Sequence, residues 1–224
     1  MRLIARLTGL FVAALALAAP LSAANIAEPS WTPEDGDVIA FDVTRNGERF
    51  GVHSVTFDRN GDVLTARSQV DLRAGLGPIE VFRYTLDTTE TWRNGQVERV
   101  EGKTRDGGDR DKVKAVRNGD QIKVEATAFT GALSDSVLPL SHWNSRLMNG
   151  GKMLSTQDGE VFDLKVTPAG RERIKVAGQM LEANRYNVAT RIPYSVWYDD
   201  TGRWVKMSFE TRGQEIEYTL RALY

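Results

Sequence analysis

There is no cysteine anywhere in the 224 residues. That excludes a disulfide framework and a thiolate metal centre alike. Histidine is nearly as scarce, with His53 and His142 the only two. No His-x-x-x-His pair or calcium-loop pattern accompanies them, so no metal is expected. A Gly-x-Ser-x-Gly elbow and a phosphate-cradling glycine loop are also missing, and no cofactor is expected. Ser141 stands beside His142, but sequence neighbours need not point together, so adjacency does not make a dyad. Nor is there an excess of one charge: 29 Lys and Arg face 30 Asp and Glu. The signs are interspersed, which offers nothing to attract nucleic acid or an anionic membrane.

The only long apolar run lies at the N-terminus. Arg2 and Arg6 form a short basic region, Leu7 to Leu21 carries no charge, and Ser22-Ala23-Ala24 supplies small residues. This is the pattern of a secretory signal peptide over residues 1–24, with cleavage before Asn25. The run is too short and wrongly flanked for a membrane span. The expected product is an exported, periplasmic chain that does not span the membrane. Removing Arg2 and Arg6 leaves 27 basic against 30 acidic side chains. About 200 residues remain, enough for one domain with a substantial core and no staples. Residues 25–37, with Pro29 and Pro33, read as an arm in which Trp31 docks on a single domain over 38–224.

From Val38 the chain becomes regular. Asn46-Gly47, Asn60-Gly61, Asn94-Gly95, Asn118-Gly119 and Asp158-Gly159 have the chemistry that two-residue hairpin turns require. Asp199 to Gly202 suits a longer hairpin loop, and Gly102 to Asp111 a charged, solvated hairpin tip. Runs rich in Val, Thr, Ile, Phe and Tyr lie between. The pleat groups His53, Val55 and Phe57; Leu64, Ala66, Val70 and Leu72; Tyr84, Leu86, Thr88, Glu90 and Trp92; and Ile216, Tyr218 and Leu220. One face is apolar and the other polar in nearly every run. The expectation is all-β: one antiparallel meander of about a dozen strands. A sheet apolar on one side must curl until that face closes, giving a barrel or half-barrel.

One stretch breaks the pattern. Pro139 opens it, Ser141 offers an N-cap, and Asn149-Gly150-Gly151 suits a helix stop. The sequence predicts a short helix near 140–149 that crosses or plugs the sheet.

The candidate binding residues are His53, Glu90, Trp92, His142, Trp143, Asn144 and Gln157. His53 and Glu90 fall on the apolar face, where imidazole and carboxylate both need partners. Pairing with each other inside the barrel would supply them. The tryptophans serve equally as core.

Gly51-Val52-His53-Ser54-Val55-Thr56-Phe57 resembles one signature of an uncharacterised family of exported Gram-negative bacterial proteins, known only as a domain of unknown function. Tyr84 with Glu90 and Trp92, and Ser141 with Trp143 and Asn144, resemble further signatures. So do Thr156 to Gly159, Arg185-Tyr186, and Trp197-Tyr198-Asp199 through Gly202 and Trp204. The resemblance covers the whole mature chain and implies an exported β protein without an assigned activity. His142 departs from it, because the family pattern more often has Tyr there. A fold-level analogy to the half-barrels of periplasmic lipoprotein carriers rests on architecture alone.

Three functions fit these residues. The first is binding or carrying a lipid-like ligand in the concave face. The second is a filled barrel acting as a structural or interaction protein of the envelope. The third is a cofactor-independent enzyme with His53 and Glu90 as an acid–base pair.

Overall fold

The computed structural model describes residues 31–76 and 79–222. The expected signal peptide, the expected cleavage before Asn25 and the first part of the expected arm lie outside the described residues. Fifteen strands form one sheet whose spatial order follows the chain almost without a break. β1 (Val38–Arg45), β2 (Glu48–Asn60), β3 (Val63–Leu76) and β4 (Ile79–Arg93) run outward one after another, each antiparallel to the last. β5 (Gln96–Asp106), β6 (Asp109–Asn118), β7 (Gln121–Ala126) and β8 (Thr130–Ser134) continue to one edge. β15 (Gln214–Leu220) pairs with β1, and β14 (Trp204–Thr211), β13 (Tyr194–Asp199), β12 (Gln179–Ala189) and β11 (Val161–Val176) follow it outward. Beyond them, β10 (Gly151–Leu154) and β9 (Leu138–Pro139) make the other edge, paired in parallel.

The expected meander is therefore present, with fifteen strands in place of about a dozen. The predicted faces hold. Phe41, Val55, Phe57, Ala66, Val100, Trp204 and Leu220 are buried in one continuous core. Residues between them, such as Arg67, Arg93 and Arg171, face water in ion pairs. The sheet is curled but open. The edge carrying β9 and β10 turns inward, and the segment after β10 packs on the inner face of β5. There Thr104 Oγ1 donates to the Gln157 carbonyl at 2.9 Å. Farther along, Ala128 N donates to the Asp158 carbonyl at 2.9 Å. Asp158-Gly159 thus belongs to a docked loop and not to a two-residue hairpin. The charged tip predicted over 102–111 is shorter than expected, because β5 and β6 leave only Gly107 and Gly108 between them.

The predicted helix over 140–149 is not an α-helix. His142 and Trp143 sit in a turn, and a single 3-10 turn covers Ser145–Asn149. Asn144, not Ser141, is its N-cap, accepting from Arg146 N at 3.2 Å. The physical reason is competition from distant partners. Pro139 is held in β9 opposite Leu154, and the Ser141 hydroxyl is turned toward Glu90. The segment still plugs the curl, as expected. Leu147 and Met148 are buried, and Arg146 Nη1 donates to the Gly95 carbonyl at 2.7 Å. Strand alternation puts that carbonyl, in the β4–β5 turn, at one end of the curl. The β1–β2, β5–β6 and β14–β15 turns and the 190–193 loop lie at the opposite end. Trp31 docks edge-on against Phe57 at the plugged end, ring centroids 5.5 Å apart.

Candidate functional site

The pleat of β4 points Leu86, Thr88, Glu90 and Trp92 inward in succession. Glu90 ends up 1% exposed. Its Oε2 accepts the indole N–H of Trp92 at 2.9 Å and that of Trp143 at 3.3 Å. Ser141 lies within hydrogen-bonding reach of the same carboxyl. Burial pushes the carboxyl up to about 7, against the opposing pull of its three donors, because removing an ion from water costs more than they return. Trp143 stands edge-on to both Phe57 and Trp92, at 5.3 and 5.5 Å. The plug is thus fastened to the sheet by one carboxyl group and an aromatic triplet.

His53 lies higher on the wall. The register pairs it with Val70, and Val70 with Leu86. Ser68, one pleat along from Val70, bonds His53 Nε2 through its Oγ at 2.7 Å. Thr88 is directly opposite Ser68, and Glu90 is one pleat farther. A polar diagonal therefore runs His53, Ser68, Thr88, Glu90 across three strands. His53 and Glu90 are its two ends, two strands and four residues apart, or roughly 16 Å between Cα atoms at standard sheet spacings. The direct His53–Glu90 pair is thereby corrected. Ser68 satisfies the imidazole, and the indoles satisfy the carboxyl.

Both imidazoles are held neutral. Burial lowers His53 to about 3, and the proximity of His142 adds to the effect. Burial lowers His142 to about 4. Trp204 lies between them, with its ring 5.3 Å from His53 and 5.2 Å from His142. The two histidines and Trp204 thus form one aromatic cluster, which Phe41 and Tyr218 extend.

Above the plug the curled sheet encloses a cavity of about 490 Å³. Val70, Leu72, Phe82, Leu86, Met207, Phe209 and Tyr218 supply its apolar wall. Of the seven sequence-derived candidates, His53, His142, Trp143 and Gln157 border it. Gln157 Nε2 donates to Tyr84 Oη at 2.5 Å near the mouth. Glu90 and Trp92 lie beneath the lining and hold the plug, and Asn144 caps the 3-10 turn. Sequence reasoning missed Ser68 and Thr88 as site residues. Their only signal was a polar residue in an apolar register. Thr88 Oγ1 and His142 Nε2 are buried without a protein hydrogen-bond partner. Among the described residues, no group of three or more His, Cys, Asp or Glu is placed to hold a metal ion. None of their helices is long and apolar enough to cross a membrane.

Comparison with known proteins places this geometry in a family. Residues 41–221 match the profile of a domain of unknown function (DUF6134), and the chain belongs to that family. Its fold is similar to the crystal structure of a beta-barrel-like protein of the domain of unknown function DUF1849 from Brucella abortus. That likeness has a TM-score of 0.58 and 11% sequence identity, covering 82% of this chain and 94% of the other. At such identity it carries the fold alone. No curated protein matches the sequence.

Proposed function

We propose that this is an exported periplasmic protein that binds or carries an apolar or amphipathic, lipid-like ligand in the concave face of its sheet. The observation that carries the reading is the cavity of about 490 Å³ above the plug. A barrel serving only as a structural part would pack its interior to ordinary density. This one keeps a space within the range of small-molecule sites, walled by aromatic and aliphatic side chains with a few polar groups. Thr88 Oγ1 and His142 Nε2 point to the same use, since buried polar atoms normally have partners and these have none from the protein.

The enzyme reading loses its motive. No carboxylate contributes to the titration of His53, and its hydrogen bond goes to a serine hydroxyl. The test of the carrier reading is native mass spectrometry of the mature protein, purified gently from its own periplasm. Extra mass that organic solvent removes as an apolar molecule is the expected result. A bare polypeptide mass that stays bare after incubation with a mixed lipid extract would overturn it.

A further inference from the structure

Three arginines border the cavity: Arg45 at the end of β1, Arg191 in the β12–β13 loop and Arg212 in the β14–β15 turn. Antiparallel alternation brings all three to the end opposite the plug. None has an acidic side chain within ion-pairing distance among the described residues. Arg67, Arg93 and Arg171 on the outer wall, by contrast, are each paired with an aspartate. The Arg45 guanidinium lies over the Phe50 ring at 5.3 Å, and Phe50 stacks on Phe82 at 5.8 Å. A cation is thereby fixed where the apolar wall meets water. Ile192, beside Arg191, is 41% exposed. Asp106 is the acidic side chain on this lining, so the mouth keeps a cationic surplus.

The interior is electrically different. His53 and His142 are held neutral by burial, and Glu90 is turned into the plug and away from the space. A charged group at the bottom would find no counter-ion, whereas an anion at the mouth would find three unpaired guanidiniums suited to planar carboxylate or tetrahedral phosphate.

We propose that the ligand is a single-chain acyl amphiphile with an anionic head, its chain down in the cavity and its carboxylate or phosphate held by Arg45, Arg191 and Arg212. This rests on the ligand-binding reading above and deepens it. Size agrees. The space is many times the roughly 30 Å³ share of a liquid water molecule, so it has room for a long acyl chain.

The experiment is calorimetric titration of the delipidated mature protein with four ligands of equal chain length: palmitate, hexadecyl phosphate, hexadecanol and hexadecylamine. The acids are expected to bind at least tenfold tighter than the alcohol, with the amine weakest. Shortening the acid is expected to weaken binding roughly fourfold per methylene. Replacing all three residues (Arg45→Gln, Arg191→Gln, Arg212→Gln) should lower acid affinity to that of the alcohol and leave the alcohol unchanged. The outer-wall pair Arg67→Gln with Arg93→Gln should change neither. Preference between carboxylate and phosphate names the head group, and either upholds the proposal. Equal binding of alcohol and acids overturns the anionic head while leaving the carrier reading intact. Binding of none of the four overturns both.

Discussion

Trp143 donates its indole N–H to Glu90 Oε2 at 3.3 Å, joining the plug to the fourth strand of the sheet. The two residues are 53 positions apart in the chain, and Glu90 is almost wholly out of water. Neither can leave without exposing the other. A buried carboxyl stripped of donors is costly, and a tryptophan edge without its acceptor loses its orientation.

Removing the ring and removing only its N–H should therefore differ. Trp143→Ala is expected to destabilise by about 3–5 kcal/mol through the cavity it leaves. Trp143→Phe keeps most of the ring and is expected to cost about 0.5–1.5 kcal/mol, the loss of one hydrogen bond from a carboxyl that still accepts from Trp92. Urea unfolding followed by far-UV circular dichroism measures both. Wild-type stability in Trp143→Phe would mean that Glu90 does not depend on that donor.

Glu90 should make stability fall as pH rises. Its folded pKa of about 7 lies above the unfolded value of 4.5. The folded state thus holds the extra proton between these values, and stability present at pH 4.5 is lost through pH 7. Glu90→Gln removes this dependence. The stability of Glu90→Gln relative to wild type should rise by about 3 kcal/mol between pH 4.5 and 8, the free-energy equivalent of the shift. A difference flat with pH would show that Glu90 titrates normally.

The histidines act in the opposite direction. With folded values of about 3 for His53 and about 4 for His142, both below the unfolded 6.5, the unfolded chain binds their protons first. Their contribution is whole above pH 6.5 and is lost as pH falls toward 4 and then 3. His142→Tyr is expected to lose less Tm than wild type between pH 6.5 and 4. Parallel Tm-against-pH curves for the two proteins would contradict a buried neutral His142.

The inward loop depends on a missing side chain. A Cβ on Gly102 would come 2.4 Å from the Thr156 carbonyl oxygen, closer than atoms can approach. Gly102→Ala is expected to push residues 155–160 off β5. Faster amide exchange at Gln157 and Gly159, with the far wall of the sheet unchanged, is the readout. Unaltered protection there would mean the loop is held from elsewhere.

Space can be tested by filling it. Leu86→Trp is expected to cut the ligand content of the natively purified protein severalfold while costing little stability, because the added ring enters the cavity. A loss of about 1–3 kcal/mol with ligand content unchanged would be the signature of overpacking in a filled core.

Much of this was legible along the chain because a pleated strand writes its burial pattern with a period of two. His53-Val55-Phe57 and Ile216-Tyr218-Leu220 could be assigned to the inner face without knowing their neighbours. Asn46-Gly47 and Asn94-Gly95 announced turns because both residues adopt positive φ readily. The turns at Ala177-Gly178 and Arg212-Gly213 gave weaker notice, since Ala177 and Arg212 adopt a positive φ that such residues rarely choose. Their geometry follows from the register of the strands they join.

The sequence by itself determined the all-β class, the inner face and the list of polar residues that interrupt it, because those depend on local periodicity and turn chemistry. Only the tertiary structure decided which of them meet. It separated His53 from Glu90 by placing Ser68 and Thr88 between them, and it drew Ser141 away from helix capping toward a carboxyl 51 residues earlier in the chain. It also gathered Arg45, Arg191 and Arg212 at one mouth. Strand register and curl set those meetings, and both are properties of pairs of distant segments that no single stretch of chain contains.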